Sequence, residues 1–172
     1  MSHHNTKASP QTYARTAAIF FLIILACALI NMNITSDIIV PGDAAITANN
    51  IVNSEAKFRI GNICDAILFL CEIVLTVMLY VLFKPVSRTL ALIAAFARLA
   101  MTVIQGMNLF NYFLALLLLS ETGYLTVFEP DQLYALVALF LDAHEVVAII
   151  WGLFFGLHLL VLGYLVYRSG YI

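Results

Sequence analysis

Four stretches of this chain stay apolar for about twenty residues or more, at about 14–34, 56–83, 89–120 and 131–167, with short polar intervals between them. A helix needs roughly 20 apolar residues to cross the hydrocarbon of a bilayer. The pattern therefore predicts an all-α, polytopic membrane protein, a four-transmembrane-helix bundle. The longest polar interval, Asp37 to Lys57, holds the breaker Pro41-Gly42-Asp43. With Asp43 as N-cap, it predicts a short outer-face helix over about 43–55. Lys84-Pro85 ends the second span, Ser87 or Thr89 caps the third, and Gly123 suits the C-cap that follows. Glu129-Pro130-Asp131 opens the last span with proline in its first turn. That helix exceeds one crossing, so its first turns stand above the bilayer or tilt along it. Residues 1–13 are polar and are expected to form a disordered cytoplasmic tail, leaving 14–172 as one membrane domain.

Composition sharpens this reading. Of 172 residues, 63% are hydrophobic and only 10% charged, against about a quarter charged in a soluble domain. A chain this short has no water-soluble way to hide so much apolar surface, so the lipid bilayer is its expected partner. A net charge of −2 with no basic cluster argues against nucleic acid. Lys7, Arg15, Lys84, Arg88 and Arg168 fall on one side of the spans, free of acids. The other side mixes Lys57 and Arg59 with Asp37, Asp43, Glu55, Glu121, Glu129 and Asp131. The positive-inside rule then places a multi-pass protein in the cell membrane with both termini cytoplasmic. Tyr80, Tyr124, Tyr164 and Tyr167 fit interfacial anchors. Ala26-Cys27-Ala28 resembles a signal-peptide cleavage site, but hydrophobicity continues through Leu29, Ile30 and Met32, which favours an uncleaved helix. Cys27, Cys64 and Cys71 lie within apolar runs and read as small buried hydrophobes.

Charge also appears inside the spans, where it costs at least about 2.5–3.5 kcal/mol per residue and must face the protein interior. At a rise of 1.5 Å per residue, Glu72, Arg98 and His158 all lie roughly 15–18 Å from the cytoplasmic turns. They form an inner polar layer. Asp65, Gln105, Asn108, His144 and Glu145 fall at roughly 25–36 Å, an outer layer. Helical phase groups Asp65 with Glu72, Arg98 with Gln105, Asn108 and Tyr112, and His144 with Trp151 and His158. Glu72 with Arg98 is expected as a structural ion pair. Asp65, Arg98, Gln105, Asn108, His144 and Glu145 are the candidates for a ligand site or pathway. His144 with Glu145 fits either a hydrogen-bonded cap on the bundle or a ligand, proton-relay or metal role. Gly152, Gly156 and Gly163 share a face and suit close helix packing.

Familiar chemistry is missing. No GxSxG, HExxH or GxxxxGK[ST] occurs. His144 and His158 stand roughly 21 Å apart along one helix, too far for a shared haem. No catalytic residue, metal site or cofactor is therefore assigned from the sequence.

Several motifs together carry a resemblance. They are Val40-Pro41-Gly42-Asp43-Ala44-Ala45, Phe58-Arg59-Ile60-Gly61 leading to Asp65, and Leu82-Phe83-Lys84-Pro85-Val86-Ser87-Arg88. Ala14-Arg15 at the entry to the first span, Ala95-Phe96-Ala97-Arg98-Leu99, Phe154-Phe155-Gly156-Leu157-His158-Leu159, Gly163-Tyr164-Leu165 and Arg168-Ser169-Gly170-Tyr171 complete the set. From Ala14 to Ile172 the chain resembles a prokaryotic integral-membrane family catalogued as domain of unknown function 4386. The resemblance implies a multi-spanning protein without an assigned reaction, cofactor or substrate. Members of that family usually continue into further apolar segments, so a naturally short or truncated chain, or missing helices supplied by a partner, are the expectations it raises; a homo-oligomer is the other partnership expected.

The function expected from the residues is a non-enzymatic bundle or membrane-complex subunit with a polar interior. The alternative is a small-molecule or ion/proton conduit through that interior. An intramembrane enzyme or metal site ranks last. A conduit requires a continuous cavity along the charged residues, whereas a packing role requires closed pairs.

Overall fold

A computed structural model describes residues 9–120 and 122–170. Most of the expected tail, Glu121, and Tyr171 with Ile172 lie outside the described residues, as does the side chain of the anchor Tyr124. The described chain is all-α: α1 (Pro10–Ile38), α2 (Ala44–Asn53), α3 (Glu55–Phe83), α4 (Arg88–Leu118), a 3-10 turn (Gly123–Val127) and α5 (Pro130–Ser169). Four of these helices, α1, α3, α4 and α5, are long and apolar enough to cross a membrane.

The helix ends follow local chemistry. Ser9 accepts from the Thr12 amide, and Pro10 occupies the first turn, so α1 starts at Pro10 rather than near Ala14. It continues past the expected end near Ile34 to Ile38, where Thr35 and Ser36 turn their hydroxyls back onto carbonyls of their own helix. Pro41 and Gly42, the latter at φ +80°, then make a tight turn closed by the Asp43 amide on the Val40 carbonyl. Only glycine takes that φ without strain. Asp43 caps α2 through the Ile46 amide at 2.9 Å. Ser87 caps α4, and Glu129 with Gln132 forms a reciprocal capping box at the start of α5. Gly123 opens the 3-10 turn instead of capping α4, whose C-cap is Leu119.

The spans pack in a row. α1 lies along α3, α3 along α4, and α4 along α5, while α1 and α5 hardly meet. The α3–α4 seam is the thinnest of the three. α2 crosses one end and touches α1, α3 and α5. Its Thr47, Ala48 and Ile51 are buried, and Asn50 donates to the Ile38 carbonyl at 3.0 Å, closing the C-terminus of α1. Ile51 joins Ile34, Phe58, Tyr112, Leu116 and Val137 in a core at the α2 end. A second core, Phe83, Ala91, Ala94 and Leu165, fills the opposite end.

The surface between the ends is apolar. Leu153 is 71% exposed and Leu160 77%, whereas Asp65, Glu72, Arg98 and His158 are buried. Apolar residues outward and charges inward is the arrangement that lipid demands.

Candidate functional site: a polar cleft over the central helices

An ionic layer crosses the middle of the bundle. Arg98 on α4 places Nη2 2.6 Å from Glu72 Oε2 on α3. Its Nη1 lies 3.0 Å from His158 Nε2 on α5. His158 Nδ1 lies 2.9 Å from the Ala94 carbonyl, which can only accept. Nδ1 must therefore carry the proton, leaving the Nε2 lone pair to accept from the guanidinium. One arginine thus holds a carboxylate and a neutral imidazole from two other helices. Ala91, Ala94 and Ala97 are buried on α4, and these small side chains allow the close approach of α5 that brings His158 onto the Ala94 carbonyl.

A second polar group lies nearer α2. Asn108 Nδ2 donates to the His144 carbonyl at 2.8 Å and weakly to Gln105 at 3.4 Å, while Asn111 donates to Asn108 at 2.8 Å. The His144 ring stacks on Tyr112 with centroids 4.1 Å apart, and Phe58 meets Tyr112 edge-on at 5.3 Å. A chain of rings thereby links α3, α4 and α5.

Asp65 is held differently. It is 8% exposed and accepts from Asn31 Nδ2 on α1 at 2.8 Å. Gly61, one turn before it, makes this contact available. A Cβ at that position would sit 2.5 Å from Asn31 Oδ1, too close for any real side chain. Asn31 has no counterpart among the residues singled out from the sequence. The signal that reveals it is an amide in the last turn of the first apolar run, which finds its partner in a neighbouring helix.

Between the two packed ends, residues from all four spans line a cleft of about 530 Å³. Asn31 and Thr35 come from α1, Asp65 and Glu72 from α3, Thr102 and Gln105 from α4, and His144 and Trp151 from α5. A second cavity of about 320 Å³ lies at the α2 end, bounded by Asp43, Tyr112, Asp142, Glu145 and again His144. Beyond the ionic layer, toward the other end, the free space beside Arg98 and His158 is only about 10 Å³.

The expected outer layer is therefore split. Asp65, Gln105 and His144 share the cleft, Asn108 is buried behind them, and Glu145 is exposed toward the α2 end. Arg98 belongs to the ionic layer and not to the cleft wall. Among the described residues, no three His, Cys, Asp or Glu side chains converge as metal ligands would. Within this chain Gly152, Gly156 and Gly163 face open space. A Cβ at Gly152, Gly156 or Gly163 would meet nothing within 4 Å, and the tight glycine contact is at Gly61. α5 turns other positions, Val137, Leu141, His158 and Leu165, into the bundle.

Four apolar spans with their charges turned inward define a polytopic helical membrane protein. The chain belongs to the family described as domain of unknown function (DUF4386), which matches residues 16–172. No curated protein and no solved structure matches it.

Proposed function

We propose that this is a multi-pass protein of the cell membrane, with both termini cytoplasmic, that binds a small molecule in its polar interior without transforming it. The observation that carries the proposal is the cleft of about 530 Å³ to which all four spans contribute polar side chains. Small-molecule sites measure roughly 300–1,000 Å³, with apolar walls and a few placed polar groups. Ala28, Met32, Leu68, Phe69, Met101 and Ala148 supply the apolar wall. On this orientation the cleft lies on the external side of the Glu72–Arg98–His158 layer.

A conduit is the second reading. His144 borders both the cleft and the cavity at the α2 end, which favours passage between them. Against full passage stands the packed far end, where the free space of about 10 Å³ has room for no more than about one water.

Cysteine labelling tests both. In a background without Cys27, Cys64 and Cys71, single cysteines at Thr35, Gln105 and Ala148 should react with a small polar thiol reagent applied outside intact cells. Cysteines at Ala91, Ala94 and Leu162 should not. Reaction at the second set from outside would favour the conduit; reaction at neither set would remove the binding reading.

A further inference from the structure

We infer that the cleft recognises an organic cation, an ammonium group on a compact apolar body, with Asp65 as its counter-ion. This deepens the binding reading above and rests on it. The argument starts from charge. Two carboxylates line the cleft, Asp65 and Glu72, and no lysine or arginine does. Glu72 is matched by Arg98 at 2.6 Å. Among the described residues, Asp65 receives one neutral amide hydrogen bond, from Asn31 at 2.8 Å, and no ion pair. His144, the remaining titratable group on the wall, stacks on Tyr112. An ionised carboxylate buried to this degree is costly without a positive charge beside it, so a cation entering from the cleft, on which Asp65 opens, is the ligand that stabilises the charged form.

The surroundings fit a binding role for that charge. Gly61 lets Asn31 lie where a methyl group would clash, so α3 gives up a side chain to seat the amide that orients Asp65. Asn31 uses one carboxylate oxygen and leaves the other to a ligand. Phe69, Met101 and Trp151 supply apolar and aromatic wall to the same cleft. Aromatic rings stabilise desolvated cations by about 0.5–2 kcal/mol. An anion would meet two carboxylates, and a neutral ligand would leave Asp65 without a compensating charge.

The test uses the full chain in lipid nanodiscs and three probes built on one phenethyl body, measured by calorimetry. Of these, phenethyltrimethylammonium and its neutral carbon analogue, with tert-butyl in place of trimethylammonium, are matched in shape, and phenylpropionate carries a carboxylate on the same phenethyl body. The cation should bind at least about tenfold more tightly than either of the others. Asp65→Asn should reduce its affinity by about tenfold or more while leaving that of the neutral analogue unchanged. Comparable binding of cation and neutral analogue to the native chain would overturn the inference and leave the binding site standing, and needs no variant to fold. Undiminished cation binding by Asp65→Asn would overturn it as well. Binding of none of the three would overturn it too; labelled cleft cysteines would show that the cleft itself is accessible, and unlabelled ones would remove the binding reading with it.

Discussion

Arg98 is the residue on which the interior charge balance turns. Removing one partner from a buried ion pair costs about 3–5 kcal/mol, because the other charge is left without compensation. Glu72→Gln should therefore lower thermal stability in detergent strongly. Exchanging the pair, Glu72→Arg with Arg98→Glu, should restore only part of the loss. The new carboxylate would face the Nε2 lone pair of His158, whose other nitrogen already donates to Ala94. Adding His158→Gln to the exchange should recover more, because an amide can turn its NH₂ toward the carboxylate. Unfolding midpoints of the three variants rank these outcomes directly.

Gly61 supplies the complementary case at the same scale. Gly61→Ala should displace Asn31 from Asp65 and cost about 1–3 kcal/mol, the penalty of a buried polar group losing its partner. Alanine at Gly152, Gly156 or Gly163 should instead leave the isolated bundle as stable or raise its stability by up to about 1 kcal/mol, because these positions are helix-interior and nothing lies near the added carbon. Parallel thermal melts of the four variants make the comparison. The contrast shows what was legible beforehand. The Glu72 and Arg98 heights follow from helical rise and a short turn, so their approach could be read from spacing. The Gly61–Asn31 contact depends on how α1 rotates against α3, and no periodicity in either helix encodes that angle.

Among the elements, α2 shows how local chemistry sets larger structure. Its length and cap are readable, because Pro41-Gly42-Asp43 specifies a turn followed by a helix start. Its seat is not, since Thr47 hydrogen-bonds across the turn to both backbone groups of Val40 and Asn50 reaches α1. Asp43→Ala should cost about 1 kcal/mol by removing the cap, seen as faster hydrogen exchange of the first amides of α2. The Lys57–Asp37 bridge joins α3 and α1 nearby at 2.6 Å but is half exposed. Its removal should change stability by less than about 1 kcal/mol. A double-mutant cycle at 37 and 57 measures that coupling.

At the scale of the molecule, the four crossings and the inward charges were evident from the distribution of apolar and ionisable residues. The cleft was not, because it arises where α1 and α5 fail to meet, and an absent contact leaves no mark in either helix. Its floor also explains an asymmetry among the spans. α1 with α3 and α4 with α5 form two broad interfaces, joined along the thinner α3–α4 seam. The Glu72–Arg98 pair lies on that seam. The two helix pairs are thus bonded by grease at both ends and by charge at mid-depth, so loss of the central pair leaves the ends to hold the halves in register.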